Sequence, residues 1–198
     1  MSEKIQTAIS AVDYLDRILL RYSGTFDIHK PYNMNGREYP AYGYFCSHIE
    51  KYVLVREANM WSSDSYEHIL FLQEEICTLS LLEQLEQLAV EYMEPELVRK
   101  GEKYPPEHHM YSYLTFAILC EKAPSAEVKR ALKRFKFEKG YKFNMLGFCQ
   151  AHIICASMED EKVITNYVGR KSRKLYEEIF EDVKNGKPGY SGTIQNSL

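Results

Sequence analysis

The sequence contains none of the short motifs that identify the commonest nucleotide-cleaving, hydride-transferring and zinc-dependent enzymes. It has no Gly-x-Gly-x-x-Gly, no Walker-type phosphate loop, no Gly-x-Ser-x-Gly elbow, and no His-Glu-x-x-His or Cys-x-x-Cys pair. Each of these motifs places a particular group, such as a cradle of backbone amides or a zinc ligand, where a reaction needs it. Their absence argues against those enzyme classes and favours a protein that is not an enzyme.

Long apolar runs are also missing. No uncharged apolar stretch reaches about 18 residues, the length that indicates a membrane-spanning helix. Residues 1–4 lead directly into an amphipathic segment that lacks the apolar core of a signal peptide. We therefore expect no membrane contact and a cytoplasmic location, in keeping with the general character of a small bacterial protein.

Cysteine is scarce, and its placement does not indicate a disulfide framework or a metal site. The five cysteines are an odd number and are widely scattered, which predicts reduced thiols buried as small apolar side chains. The nearest Cys and His neighbours are Cys46 with His48, His108 with His109, and Cys149 with His152. None of these pairs has a recognised ligand spacing, and alternation along a strand puts the third pair on opposite faces. We predict no metal and no other cofactor.

What the sequence does contain is enough apolar and aromatic surface for one globular domain. Its 198 residues are 45% hydrophobic and include 16 tyrosines and 9 phenylalanines, which favour a substantial β-sheet. We predict a single α+β domain over residues 1–186 and a disordered tail over 187–198. The domain should have a mixed or antiparallel sheet of about five or six strands, packed by about four helices.

Periodicity places these elements along the chain. Helical spacing predicts a first helix capped by Ser2, a second opened by a Ser80–Glu83 capping box, and a third opened by Ser125. A fourth helix is predicted over 171–184. Strands are predicted over 25–29, 41–55, 66–73, 111–120, 141–157 and 163–168, with 66–73 the most ambiguous and a bend expected at Gly147.

Charge is small in total but unevenly distributed. The net charge is −3, yet residues 74–96 hold seven glutamates and no Lys or Arg, whereas 122–142 hold eight basic residues and two glutamates. Aromatic residues follow the basic ones directly. The candidate binding residues are Lys129, Arg130, Lys133, Arg134, Lys136, Tyr141 and Lys142.

These residues support our leading hypothesis, a non-enzymatic binding or interaction domain for an acidic ligand, a nucleic acid or a protein partner. Phosphates are attracted to such a basic surface, and aromatic faces can stack on exposed bases. The competing interpretation is a solvated helix face, balanced by the acidic helix over 83–96 of the same domain or of a neighbouring copy. That interpretation makes the protein a structural homo-oligomer subunit.

The alternation of helices and strands also resembles the restriction-endonuclease-like fold. That resemblance implies a metal-dependent nuclease or phosphodiesterase, in which an acidic residue and a Glu-x-Lys triplet on adjacent strands hold Mg²⁺. The only such triplet here, 127–129, lies on a predicted helix. A degenerate site would have to use Glu50 or Glu67 with Lys51.

A row of tyrosines is the last candidate. Tyr39, Tyr42, Tyr44 and Tyr52, together with Tyr111 and Tyr113, could line a cleft for a flat or acidic ligand. Such a row is more often part of a half-buried sheet, which is the interpretation that we favour.

Overall fold

The centre of the fold is a mixed sheet of seven strands, and a separate pair of strands lies beside it. The computed structural model describes residues 9–51 and 61–187. The strands are β1 (Asp27–His29), β2 (Tyr32–Met34), β3 (Arg37–Tyr39), β4 (Ala41–Lys51), β5 (Trp61–Ile76), β6 (His109–Lys122), β7 (Glu138–Gly140), β8 (Phe148–Ser157) and β9 (Lys162–Thr165). The predicted α+β class and the mixed sheet are confirmed, with seven strands in place of five or six.

Strand order explains which ends of the strands meet. The order is β1-β4-β5-β6-β8-β7, and β9 pairs with a second part of the outer edge of β8. β5, β6 and β8 are parallel, while β4 is antiparallel to β5. The amino-terminal ends of the three parallel strands therefore lie side by side at one end of the sheet, together with the carboxyl-terminal end of β4.

Four α-helices cover the sheet, two on each face. They are α1 (Ala11–Tyr22), α2 (Leu79–Leu88), α3 (Ala126–Arg134) and α4 (Arg173–Lys184). A π-helix, Ala89–Val98, continues α2, and a short 3₁₀ turn, Gly169–Lys171, precedes α4. No described helix has both the length and the apolar character needed to cross a bilayer.

Alternation along the central strands builds two hydrophobic cores. On β5, Leu70 and Leu72 face α2 and α3, whereas Ile69 and Phe71 face α1 and α4. All four side chains are buried. Residues 66–73, ambiguous in the sequence, are therefore part of a central strand, which is apolar on both faces over residues 69–72.

The helices are too short to cover the strands along their whole length. β5 has 16 residues and extends about 53 Å, whereas α1 and α4 have 12 residues each and extend about 18 Å. The half of the sheet near the amino-terminal ends of the parallel strands therefore carries polar and aromatic side chains on both faces.

A small hairpin is inserted between two strands of the main sheet. A turn at 33–36 joins β2 to β3, while β1 pairs with β4 across this insertion. The predicted strands 25–29 and 41–55 therefore lie side by side in the sheet, although residues 52–55 lie outside the described part of the chain.

Two predicted helix caps were wrong or lie outside the described residues. The hydroxyl of Ser10, not that of Ser2, caps α1 by accepting from the Asp13 amide at 3.1 Å, and residues 1–8 are not described. The α2 cap is Thr78, whose hydroxyl accepts from the Leu81 amide at 3.1 Å. Ser80 lies inside that helix, which begins at Leu79 directly after the Thr78 cap.

Helix α3 ends at Arg134, so Lys136 does not share the helix face that was predicted for it. Phe135 leaves the helix in an extended conformation with φ −52° and ψ 124°. The predicted strand 141–157 was wrong in its first part: residues 141–147 form a tight loop with Gly147 at φ 71°, and β8 begins at Phe148.

The position of the α2 cap can be tested by two matched substitutions. Thr78→Ala should lower the free energy of unfolding by about 1 kcal/mol, because the Leu81 amide loses its hydrogen-bond acceptor. Ser80→Ala should change it by less than about 0.5 kcal/mol, as expected for an exposed helix-interior position. Urea denaturation of the two variants compares these values, and a larger loss for Ser80→Ala would contradict the assignment.

Candidate functional site

A cleft of about 420 Å³ lies at the outer edge of β8, between the end of α3 and the chain that follows β9. Lys133, Arg134 and Lys136 line one wall, and Tyr167 lines the other. Asn166 is part of its floor. We call this feature the basic cleft.

The floor exists because β8 has a gap between its two outer partners. β7 pairs with residues 148–150, and β9 pairs with residues 154–157. The backbone of the intervening residues 151–153 therefore needs other hydrogen-bond partners, since unpaired buried amides and carbonyls are costly. One is the Phe137 carbonyl, which accepts from the Ala151 amide at 2.9 Å.

The Asn166 side chain supplies the remaining partners and is almost completely buried. Its Oδ1 accepts from the amides of Ile153 at 3.2 Å and Gly169 at 2.9 Å. Its Nδ2 donates to the carbonyls of Phe135 at 3.1 Å and Ala151 at 3.0 Å. One side chain thus joins the end of α3, the edge of β8 and the start of the 3₁₀ turn.

The cations of the cleft are poorly neutralised by the protein itself. Lys133 and Arg134 are exposed, and no acidic side chain among the described residues pairs with either. Lys136 approaches Glu138 only at 3.7 Å, and both side chains are exposed. Exposed pairs at such distances contribute little, so the wall carries an excess of positive charge.

The opposite wall presents an aromatic ring together with a further cation. Tyr167 is 71% exposed. The Arg170 guanidinium carbon lies 4.0 Å from the ring centroid, and its Nη2 donates to the Tyr167 hydroxyl at 3.2 Å. Sequence reasoning missed both residues, although the basic run beginning at Arg170 was a usable signal.

The other predicted binding residues lie elsewhere or are occupied. Lys129 pairs with Asp160 at 3.4 Å, and Arg130 is exposed on α3 outside the cleft lining. Lys142 is exposed, and its Nζ lies 4.8 Å from the centroid of the Tyr104 ring. Three of the seven predicted residues therefore form the cleft.

Tyr141, the predicted stacking residue, is buried and has a structural role. Its hydroxyl donates to Glu94 at 2.8 Å, and burial raises its pKa. Glu94 also accepts from Arg99 at 2.7 Å and Lys139 at 2.8 Å. Burial alone would raise the pKa of Glu94, but these three donors outweigh burial and the pKa is lowered. The network fixes the π-helix against the β7–β8 loop.

The acidic helix does not neutralise the basic one. Among the described residues no ion pair links α2 to α3, and Glu83, Glu86 and Glu91 of the acidic segment are exposed. Among these glutamates Glu94 is buried, and it forms an ion pair with Lys139 of β7. The basic cleft therefore keeps its charge.

No metal site appears among the described residues, where no three His, Cys, Asp or Glu side chains converge. His48 contacts Asp64, and Cys46 is exposed. His109 is held by the Leu146 carbonyl at 2.8 Å and by the Ser112 hydroxyl at 2.9 Å.

The last Cys and His pair lies on the two faces that alternation predicts. Cys149 belongs to the core beneath α2 and α3, and His152 lies on the other face of the sheet, where burial lowers its pKa to about 4. Cys77, Cys120 and Cys155 are buried free thiols, as expected, but the prediction of burial was wrong for Cys46, which is exposed.

The carboxylates of the nuclease hypothesis are not brought together. Glu50 pairs with Ser62 and Glu67 with Phe45, so the register puts five residues, or about 17 Å, between them along the strands. This register does not form a two-carboxylate ion site.

The tyrosines of the predicted row do not line one cleft, because they lie on opposite faces of the sheet. Tyr39 and Tyr42 are buried, and the Tyr42 hydroxyl lies 2.6 Å from Nδ1 of His68. Tyr111 and Tyr113 lie on the other face, where they stack with centroids 4.6 Å apart. Tyr52 is outside the described residues.

Comparison with known proteins gives one match. The model of a family described as a domain of unknown function, DUF8052, matches residues 11–178, a range that contains the whole basic cleft. No curated protein and no solved structure matches the chain. Function therefore has to be argued from the site.

The role of Asn166 can be tested directly. Asn166→Ala should lower the free energy of unfolding by about 3 kcal/mol, because buried backbone groups at four positions lose a partner. Asn33→Ala, at an exposed position in β2, serves as the control and should cost less than about 0.5 kcal/mol. Equal urea midpoints for the two variants would show that Asn166 does not organise this edge.

Proposed function

We propose that this chain, which belongs to the DUF8052 family, is a binding domain that holds a nucleotide in the basic cleft, either free or within a single strand. The observation that carries the proposal is the meeting of Lys133, Arg134 and Lys136 with an exposed Tyr167–Arg170 pair across one cleft. The function of the family is unknown, and no catalytic group enters the proposal.

The cationic wall suits phosphate oxygens. Arg134 offers a planar fork of donors that matches phosphate geometry, and Lys133 and Lys136 add mobile positive charge on either side. Their weak neutralisation within the described structure means that a ligand phosphate has few protein carboxylates to displace. The net charge of −3 makes this attraction local, so salt should weaken it strongly.

The Tyr167 ring suits a base. Arg170 lies over the ring, and an exposed tyrosine beside a guanidinium plane is a platform on which purines and pyrimidines stack without strong sequence preference. A volume of about 420 Å³ is in the range of small-ligand pockets, which favours a single nucleotide unit over a duplex.

A cytoplasmic location belongs to the same proposal. The five cysteines are free, and Cys120 and Cys155 lie with their sulfurs 4.0 Å apart without forming a disulfide. Thiols held this close suit a reducing compartment. Cytoplasmic nucleotides and RNA would then be available as ligands.

Fluorescence anisotropy tests the proposal with two probes, a labelled mononucleotide and a labelled single-stranded oligonucleotide, at low and physiological salt. The triple variant K133E/R134E/K136E should weaken binding at least about tenfold, because it reverses the charge of the wall. Tyr167→Leu should weaken binding about fivefold or more through lost stacking. Stronger binding of the oligonucleotide would assign a strand, and equal binding a free nucleotide.

A matched control keeps the change in net charge constant. The triple variant K103E/K162E/K174E reverses three exposed lysines outside the cleft and should leave the affinity nearly unchanged. Equal losses in both triple variants, or no binding of either probe at low salt, would refute the proposal. Preferential binding of an acidic peptide, or self-association that the K133E/R134E/K136E reversal abolishes, would identify a protein partner or a second copy instead.

A further inference from the structure

A second feature lies on the sheet face that α1 and α4 pack against, at the border of the part that they cover, where burial and the charge of Glu67 raise the pKa of Tyr22 on α1 and of Tyr176 on α4. The strand registers place four residues in one row across β4, β5, β6 and β8, namely Phe45, Glu67, Tyr113 and Gln150. Neighbouring members of such a row are about 5 Å apart. A single carboxylate therefore lies between two aromatic residues on the same face.

The Glu67 carboxylate has little compensation within the described structure. Its Oε1 accepts from the Thr115 hydroxyl at 2.7 Å, which is a neutral donor. Its pKa is raised by burial, with no contribution from a nearby cation. Among the described residues no fully buried side-chain oxygen lacks a partner, so Oε2, which has none, retains some contact with solvent.

Aromatic side chains surround this carboxylate on both sides. Tyr113 stacks on Tyr111 at 4.6 Å and lies 4.4 Å from the His152 ring. Phe45 packs against Phe26 at 5.3 Å on the other side. Tyr111, Tyr113 and Phe45 are partly exposed, so their ring surfaces border an open face rather than a closed core.

We propose that this face binds an organic cation, a protonated amine or a quaternary ammonium, with its charge between Glu67 and the Tyr113 ring. Aromatic faces attract such cations through the ring quadrupole, and a carboxylate at the base supplies the opposite charge. Among the described residues no cation contributes to the pKa of Glu67, and the nearest basic influence on this row is that of Lys171 on His152. A ligand cation would therefore provide the compensation that Glu67 lacks.

The proposal is independent of the nucleotide-binding cleft, although the two sites are neighbours. Gln150 belongs to the Glu67 row and also lines the basic cleft. The side chains that would hold the cation lie on β5 and β6, whereas the cationic wall follows α3. Reversal of Lys133, Arg134 and Lys136 should therefore leave the binding of an organic cation intact.

Isothermal titration calorimetry tests the proposal with choline and benzylamine as probes. Each has a neutral counterpart, 3,3-dimethylbutanol and benzyl alcohol, and we expect only the cations to bind. Glu67→Gln keeps the shape and an acceptor for Thr115 but removes the charge, and should weaken cation binding at least about tenfold. Tyr113→Phe should retain the affinity within about twofold, and Tyr113→Leu should weaken it about fivefold.

Glu75→Gln is the matched control, because it makes the same chemical change at an exposed position on the same strand. Its affinity for choline should equal that of the unmodified protein. Equal binding of cations and their neutral counterparts, unchanged binding in Glu67→Gln, or no binding of either cation would overturn the proposal. None of these results bears on nucleotide binding, which is measured separately.

The pH dependence of stability gives a second measurement on the same residue. Burial raises the pKa of Glu67 above its ordinary value of 4.5, so ionisation costs more in the folded state than in the unfolded state. The stability contributed by protonated Glu67 is complete below pH 4.5 and is lost as pH rises through the folded-state pKa. The stability advantage of Glu67→Gln should therefore grow with pH above 4.5, and choline should reduce that advantage at neutral pH. A stability difference between Glu67→Gln and the unmodified protein that does not change with pH would contradict the assignment of the raised pKa to Glu67.

Discussion

The hydrogen bonds of Asn166 are the constraint on which the edge of the sheet depends. The outer edge of β8 is unpaired between β7 and β9, and only a primary amide offers both the donors and the acceptor that the backbone there needs. An aspartate would lack the donors, and an apolar side chain would lack both. Gly169 is required by the same arrangement, since a Cβ would lie 2.8 Å from Oδ1 of Asn166. The basic cleft is a consequence, because Asn166 fixes where α3 ends and where Tyr167 projects.

The length of the strands explains why functional groups gather at one end of the sheet. Helices of 12 residues, about 18 Å long, cannot cover a strand of 16 residues that extends about 53 Å, so part of the face beneath α1 and α4 must be stable beside water. Tyrosine, histidine and serine meet that requirement, because each combines apolar contact with a polar group. The odd residues of β5 then place Glu67 on one face, and the even ones place His68 and Tyr66 on the other.

Periodicity in the sequence predicted most helices and strands. Features that depend on contacts between distant segments, such as the strand register, could not be predicted in this way. The central strands β6 and β8 and the helix α4 could be predicted because a continuous apolar run and an apolar stripe at helical spacing are both local signals. The end of α3 at Arg134 is not specified locally, because the Phe135 carbonyl beyond it is bound by Asn166, about 30 residues further on. Glu94 was counted with exposed glutamates, since its three donors come from distant segments. The separation of Glu50 from Glu67 depends on strand register, which the sequence of a single chain does not specify.

The charged groups of the chain differ in how far burial is compensated by hydrogen bonds and opposite charges. Glu94 is buried and meets three donors, two of them cationic, so its charge is compensated and the group is structural. Lys133 and Arg134 remain in water, where an unpaired charge costs little but can still attract a ligand. Glu67 is intermediate, because it is largely removed from water and has one neutral donor. Of the three, Glu67 is the group whose free energy would fall most when an opposite charge arrives, and that is why a cationic ligand suits this face.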